Sequence, residues 1–414
     1  MLWPPPACAV KRSMSRFYFD YNATAPVPPE VLEAHSGAVR ECFGNASSTH
    51  REGQQARQQL EQSRRVVASA LGAGAPEIVF TSGGTESNNL AILGICQAAR
   101  QTCGPDAKPL HIVTTAIEHP SVLETCRWAQ SNGIELSIIS ASASGVIARE
   151  EVRAAIRPHT ALVSVMHVNN ETGAVQPISE IAEMVQERRA QGQAIWFHSD
   201  GVQAFGKLAV DITASGLDLY SISGHKIGAP KGVGALWIRK GVPVSAILHG
   251  GRHERSRRAG TENVPAAVAL AKAVEVMPAN EAARLAELRD ELESRILSAV
   301  PAARVNGAGA PRVSNTSNIL FPGLAAESMV IALDLKGFAV STGSACSSGS
   351  VEPSPALLAM GLTPQDARAS VRFSLGPAND WSQVAALAEA VICIANQMYG
   401  AHPHSKKVAG LAHV

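Results

Sequence analysis

The stretch Glu77-Ile-Val-Phe-Thr-Ser-Gly-Gly-Thr-Glu-Ser-Asn-Asn-Leu90 passes from an apolar run through two glycines into a polar-edged helical segment. It reads as strand, glycine turn, helix. Outward from it the same alternation recurs. Apolar runs of strand length lie at Glu77–Phe80, His111–Thr115, Glu135–Ile139, Ala161–Val165, Ala194–His198, Leu217–Ser221 and Gly234–Ile238. Helical segments, such as Gln54–Leu71, Ser87–Arg100 and Ile178–Ala190, lie between them. Several runs are apolar throughout instead of alternating, as expected of a sheet covered on both faces. The pattern predicts an α/β unit with a mostly parallel seven-stranded sheet between helices.

The character changes after His249-Gly-Gly-Arg-His-Glu-Arg-Ser-Arg-Arg-Ala-Gly-Thr-Glu-Asn263. An Ala/Leu/Glu-rich helical stretch runs from Pro265 to Val300, followed by isolated strands at Ser314–Phe321, Phe338–Ser341 and Ser370–Leu375. That reads as a smaller α+β domain. The expected division is a tail over 1–16, a large α/β domain over 17–265 whose first residues can pack on the small domain, the small domain over 266–400, and a tail over 401–414.

With 414 residues, 46% hydrophobic and 17% charged, the chain can bury a sizeable core. Its 36 basic and 35 acidic side chains give no bulk field to attract nucleic acid or an anionic membrane. The cluster Arg252, Arg255, Arg257 and Arg258 has no interleaved aromatics and reads as a solvated dimer-contact loop. No uninterrupted apolar run of roughly 18 residues suggests a membrane span. The seven cysteines are scattered and form no CxxC pair, so neither a disulfide framework nor a metal site is expected. A reducing compartment, the cytoplasm, fits best. The proline-rich start lacks the apolar core of a secretory signal.

Three features carry chemistry. The glycine turn at residues 82–85 offers helix N-terminal N–H groups and hydroxyls to a phosphate, but it has neither the GxGxxG nor the P-loop spacing. Asp200 closes an apolar strand, where ligands of open α/β sheets bind. Lys226, in Ser221-Ile-Ser-Gly-His-Lys226, ends the next one. Taken alone it is a solvated loop lysine. Beside a partly desolvated site its amine loses proton affinity and becomes a nucleophile able to form a Schiff base. An amine, a carboxylate and a phosphate cradle are what pyridoxal phosphate requires.

From Phe19-Asp-Tyr-Asn-Ala-Thr-Ala-Pro26 to Ser370-Val-Arg-Phe-Ser-Leu-Gly376 the chain resembles the cysteine desulfurases, in the class V aminotransferase-like branch of fold type I pyridoxal phosphate enzymes. The motifs TSGGTESNNLAI, IEHPSVLE, VNNETGAVQP, HSDGVQAFGK, SISGHKIGAPKGVGALWIR, RAGTEN and STGSACSSGSVEPS follow one another in the family's order. The resemblance implies that Lys226 holds pyridoxal 5'-phosphate and Asp200 pairs with its ring nitrogen. Gln203 would bond the phenolate oxygen and His119 would stack on the ring, with a second part as proton shuttle. Gly84, Thr85, Ser223 and His225 would hold the phosphate. Thr261 would reach it from the second subunit of a homodimer. Asn170 and Arg372 would take the substrate carboxylate, where a guanidinium fork matches its geometry.

Cys346, in Ser341-Thr-Gly-Ser-Ala-Cys-Ser-Ser-Gly-Ser350, sits among small residues with little apolar area to bury. Such a segment can move, which a thiol needs if it is to collect sulfur from a pocket and carry it out. The resemblance implies that this thiol takes the sulfur of L-cysteine as a persulfide, releases L-alanine, and passes sulfur to an acceptor, an iron–sulfur scaffold that could serve nitrogenase assembly. A selenocysteine lyase, another enzyme of this class, or a non-catalytic sulfur-assembly scaffold are the alternatives. The chain departs from the family at Arg252, at Gly228-Ala229 and at Pro377. The last leaves open how substrate is held near Arg372.

Overall fold

The computed structural model describes residues 16–102, 108–343 and 352–401. Its strands in chain order are β1 (Phe17–Tyr18), β2 (Ile78–Thr81), β3 (His111–Thr115), β4 (Glu135–Ile139), β5 (Thr160–Ser164) and β6 (Trp196–Asp200), then β7 (Leu219–Ser223), β8 (Gly234–Ile238), β9 (Arg304–Val305), β10 (Thr316–Leu320), β11 (Phe338–Ala339) and β12 (Ser370–Ser374). Seven of them form the main sheet in the order β2-β8-β7-β6-β5-β3-β4. All neighbours pair parallel except β8, which runs antiparallel to both β2 and β7. The expected mostly parallel seven-stranded sheet is therefore present.

Its strands IVFT, HIVTT, TALVS and GALWI are buried at every position. Side chains alternate between faces along a strand, so burial at every position means that both faces are covered. One face packs on a core holding Val113, Val163, Phe197, Tyr220 and Trp237, the other on one holding Ile112, Leu162, Leu219 and Leu236. The edge strand β4 is the exception, with no fully buried residue.

The helical stretch expected over Pro265–Val300 is two helices, Val264–Glu275 and Glu281–Ala299. The break falls at Pro278-Ala-Asn280, where Asn280 takes φ 65°, a left-handed conformation that asparagine tolerates. The first helix joins the core on one face of the sheet, and the second packs in a separate core with Phe19, Ile319, Phe373, Leu387 and Val391. That second core covers the antiparallel sheet β12-β10-β9, while β1 pairs with β11. The helix Trp381–Ala401 is long and apolar enough to cross a membrane by composition. Here it buries Val384, Leu387, Val391 and Ile394 against the second core.

Because six strands of the main sheet run the same way, their carboxyl ends deliver polar residues to one edge. Thr81, Thr115, Asp200 and Ser223 end β2, β3, β6 and β7 there. The antiparallel β8 brings its first residue, Gly234, to the same edge. A Cβ on Gly234 would lie 2.7 Å from Gly83 Cα, so only glycine lets the turn after β2 cross so closely.

Candidate active site

A cavity of about 400 Å³ lies at that edge. Ten residues expected at a site line it: Gly84, Thr85, His119, Asn170, Asp200, Gln203, Ser223, His225, Lys226 and Arg372. They come from six separated segments, so the fold, not the sequence, makes them neighbours. Thr261 does not line it and is exposed. Cys346 lies outside the described residues, although Gly343, at the near end of its segment, borders the cavity.

Asp200 is buried, and each of its oxygens accepts one hydrogen bond. Val202 N donates to Oδ1 at 2.9 Å and Asn88 Nδ2 donates to Oδ2 at 2.8 Å. Asn88 Nδ2 also donates to Ser121 Oγ at 2.8 Å, and that oxygen lies 2.8 Å from His119 Nδ1. The chain of bonds fixes the histidine's tautomer. The Ser121 backbone N–H donates to His119 Nδ1 at 3.1 Å, so Nδ1 is an acceptor and the neutral ring carries its proton on Nε2. Burial holds the His119 pKa below its ordinary value; Asp200 opposes this and Lys226 adds to it. His119 is thus a neutral Nε2–H donor, the form suited to lying against a ring.

Lys226 follows β7 on a short 3-10 turn, Gly224–Lys226. Its amine donates to Asn22 O at 2.6 Å and Ala23 O at 2.9 Å. Gln203 Nε2 donates to Asn22 O as well, at 2.9 Å. The helix Gly84–Thr102 starts at the cavity wall, with Ser223 and His225 opposite. Burial, then Lys226 and Lys231, push the His225 pKa down to about 4, so it is a neutral hydrogen-bonding group there. Arg372, on β12, donates to Asp20 Oδ1 at 2.7 Å and Asn170 O at 3.0 Å. Its Nε has no partner among the described residues, which leaves a donor for an anion.

The loop holding Thr261 is tied to this wall. Arg258 donates to Glu86 at 2.8 Å, and Glu254 accepts from Arg64 at 2.6 and 2.8 Å. Thr261 therefore stands on a braced loop outside its own chain's cavity.

Several residues of the site were not legible in the sequence. Asn22, Asn88, Ser121, Met166 and Val202 line the cavity. Asn22 and Asn88 stand inside motifs quoted above, and only their partners, more than a hundred positions away, give them a task.

An arrangement of one amine, one buried carboxylate and a helix N-terminus flanked by hydroxyls fits pyridoxal phosphate: an aldehyde partner, a cation for the carboxylate and an anion for the helix end. The volume is within the range of cofactor pockets.

Residues 17–387 match the class-V aminotransferase family. The chain belongs to that family. It is 43% identical over 393 residues to the cysteine desulfurase IscS of Methanosarcina thermophila, covering 94% of each. It is 42% identical over 400 residues to a cysteine desulfurase of Trichormus azollae, covering 96% of this chain and 97% of that one. Among solved structures it is similar to a NifS-like protein, with TM-score 0.83 and 32% identity over 92% of this chain and all of that one. It is also similar to SspA in complex with cysteine, with TM-score 0.77 and 36% identity, covering 87% of this chain and 99% of that one. The family is pyridoxal phosphate-dependent.

Proposed function

We propose that the chain is a cysteine desulfurase in which Lys226 carries pyridoxal phosphate and Cys346 takes the sulfur. The observation that supports it is the shared cavity that holds Lys226, Asp200, Gln203, His119 and Arg372 together. The cofactor, when bound, supplies an electron sink for the bonds at the substrate's Cα. Asp200, its oxygens fixed by Val202 and Asn88, would pair with the cofactor's ring nitrogen. Lys226 would hold the cofactor and would take and return the Cα proton. His119 would stack on the ring and offer its Nε2 proton. Arg372 and Asn170 orient the substrate carboxylate. Cys346 then attacks the substrate sulfur: its S–S bond forms as the C–S bond breaks. L-cysteine and a thiol become L-alanine and a persulfide, with no external oxidant.

The position of Thr261, outside its own cavity on a braced loop, supports a homodimer in which it reaches the partner's phosphate site. The domain division fits this chemistry: residues 17–265 would carry the cofactor, and 266–400 the cysteine segment and Arg372. A sulfur-acceptor protein, such as an iron–sulfur scaffold, would then collect the persulfide sulfur. Free Cys42, Cys96, Cys126 and Cys393 suit the reducing cytoplasm. The test is to supply L-cysteine and a dithiol to the purified protein and to measure alanine and sulfide together. Equal amounts are expected, and none from Lys226→Ala. Pyruvate and ammonia in place of alanine would overturn the reading.

A further inference from the structure

A second lysine reaches the same set of groups. Lys207 Nζ donates to Gln203 Oε1 at 2.5 Å and to Asn22 Oδ1 at 2.7 Å. Asn22 Oδ1 also accepts from Asn315 Nδ2 at 3.2 Å, and among the described residues one Gln203 Nε2 hydrogen is left over for a further acceptor. Asn22 Nδ2 donates to Thr316 Oγ1 at 2.9 Å and Asn170 O at 3.2 Å, and Gln203 Nε2 donates to Asn22 O at 2.9 Å. A carboxamide has the same shape whichever end is oxygen, so its partners alone decide how it points. Lys207 offers N–H donors to both oxygens, which turns the nitrogen end of Gln203 away from itself and toward Asn22 O.

We propose that Lys207 is a positioning residue that holds the carboxamide of Gln203 with its N–H end available to the cofactor's phenolate oxygen. The inference rests on the reading of Gln203 as a cofactor contact, and it gives a task to a lysine that the motif comparison leaves idle. Without Lys207, Asn22 Oδ1 keeps Asn315 as a donor but Gln203 Oε1 loses the one it has among the described residues, and the Gln203 amide can turn that oxygen to the phenolate, where two acceptors repel. The amine needs no full charge for this. Burial, then Lys226 and Arg372, hold its pKa well below that of an ordinary lysine, and a neutral amine keeps two N–H groups for its two acceptors. The charged groups nearby are Lys226 and Arg372, the latter paired with Asp20. Lys207 also lines a second cavity of about 590 Å³ behind the site, so a longer side chain has room.

The readout is the pH midpoint of the visible absorption band of resting protein loaded with pyridoxal phosphate, with no substrate present. A hydrogen bond to the phenolate lowers that midpoint, because it weakens the oxygen's hold on the neighbouring proton. Gln203→Met and Lys207→Met should each raise it, by about one unit. The double variant should shift no further than Gln203→Met alone, because both act through one contact. Lys207→Arg, which keeps the donors, should restore the wild-type midpoint. An unmoved midpoint in Lys207→Met, or shifts that add in the double variant, overturns the proposal. If Lys207→Met does not fold, Lys207→Gln serves: a raised midpoint supports the clamp and an unmoved one overturns it. Wild-type protein that takes up no pyridoxal phosphate takes down the proposed function and this inference together. A normal wild-type band with an unmoved variant takes down the inference alone.

Discussion

Glu254→Gln is the substitution whose cost is clearest from the structure. Glu254 and Arg64 side chains are each 2% exposed and form a two-pronged ion pair at 2.6 and 2.8 Å. Glu254 Oε2 also accepts the Phe80 backbone N–H at 3.0 Å, and Arg64 donates to Ile78 O at 2.8 Å. The substituted carboxamide would keep an oxygen for Phe80 and nearly the same volume, so packing and the backbone bond survive. What is lost is the buried, two-pronged countercharge, and Arg64 keeps only the partly exposed Glu61 carboxylate as a counterion. Removing one partner of such a pair costs about 3–5 kcal/mol. The lower end applies, because Arg64 retains Ile78 O and a contact with Glu61 at 3.2 Å. A urea-denaturation cycle with Glu254→Gln, Arg64→Met and the double variant tests this. Each single change should cost about 3 kcal/mol, and the double little more than either one. Costs that add to within about 0.5 kcal/mol would mean that the two side chains do not act as a pair.

The same pair pins a loop in an unusual conformation. Glu254, Arg255 and Ser256 have φ of 44°, 57° and 64°. Ser256→Gly should therefore stabilise the protein by about 1 kcal/mol in the same assay, since left-handed backbone costs an L-residue about that much; a loss would mean that the hydroxyl matters more than the strain. Acid should act through His198, held between Ser164 Oγ at 2.9 Å and Ser221 Oγ at 3.0 Å. Burial pushes its pKa down to about 3, below its unfolded value, so its neutral form is favoured in the fold. Its contribution is complete above about pH 6.5 and falls by about 1.4 kcal/mol per unit as pH drops toward 3. Urea midpoints between pH 7 and 4 should fall less steeply for His198→Asn than for wild type, and equal slopes would contradict this.

The sheet was legible because burial on both faces leaves runs such as Ile78-Val-Phe80 that no other element of that length explains. Strands β6 and β7 extend two residues further than their apolar runs, through His198-Ser-Asp200 and Ile222-Ser223. There His198 is held across strands by Ser164 and Ser221, and Asp200 by Asn88 and Val202, so apolarity ends before pairing does. The break at Pro278-Ala-Asn280 carries a signal in Pro278, which cannot continue a helix, but the equally helical composition on both sides hides it. Ten of the expected site residues meet at one cavity, because each closes or follows a strand end or sits in a distinctive motif. Lys207 and Asn22 could not be read that way. Lys207 touches Asn22 across 185 positions, and nothing local to either residue announces the other.

Passage of sulfur from L-cysteine to Cys346 is read most directly from the mass of the peptide that carries this residue. Protein loaded with pyridoxal phosphate, given L-cysteine without reductant and digested, should show one added sulfur atom on Cys346, matched by about one alanine per chain, as expected of a single nucleophile. Cys346→Ala protein should bind the cofactor and release essentially no sulfide when a dithiol is added, because a methyl group cannot attack sulfur. Alanine formed with Cys346 unmodified, or sulfide released by Cys346→Ala at the wild-type rate, would contradict the account.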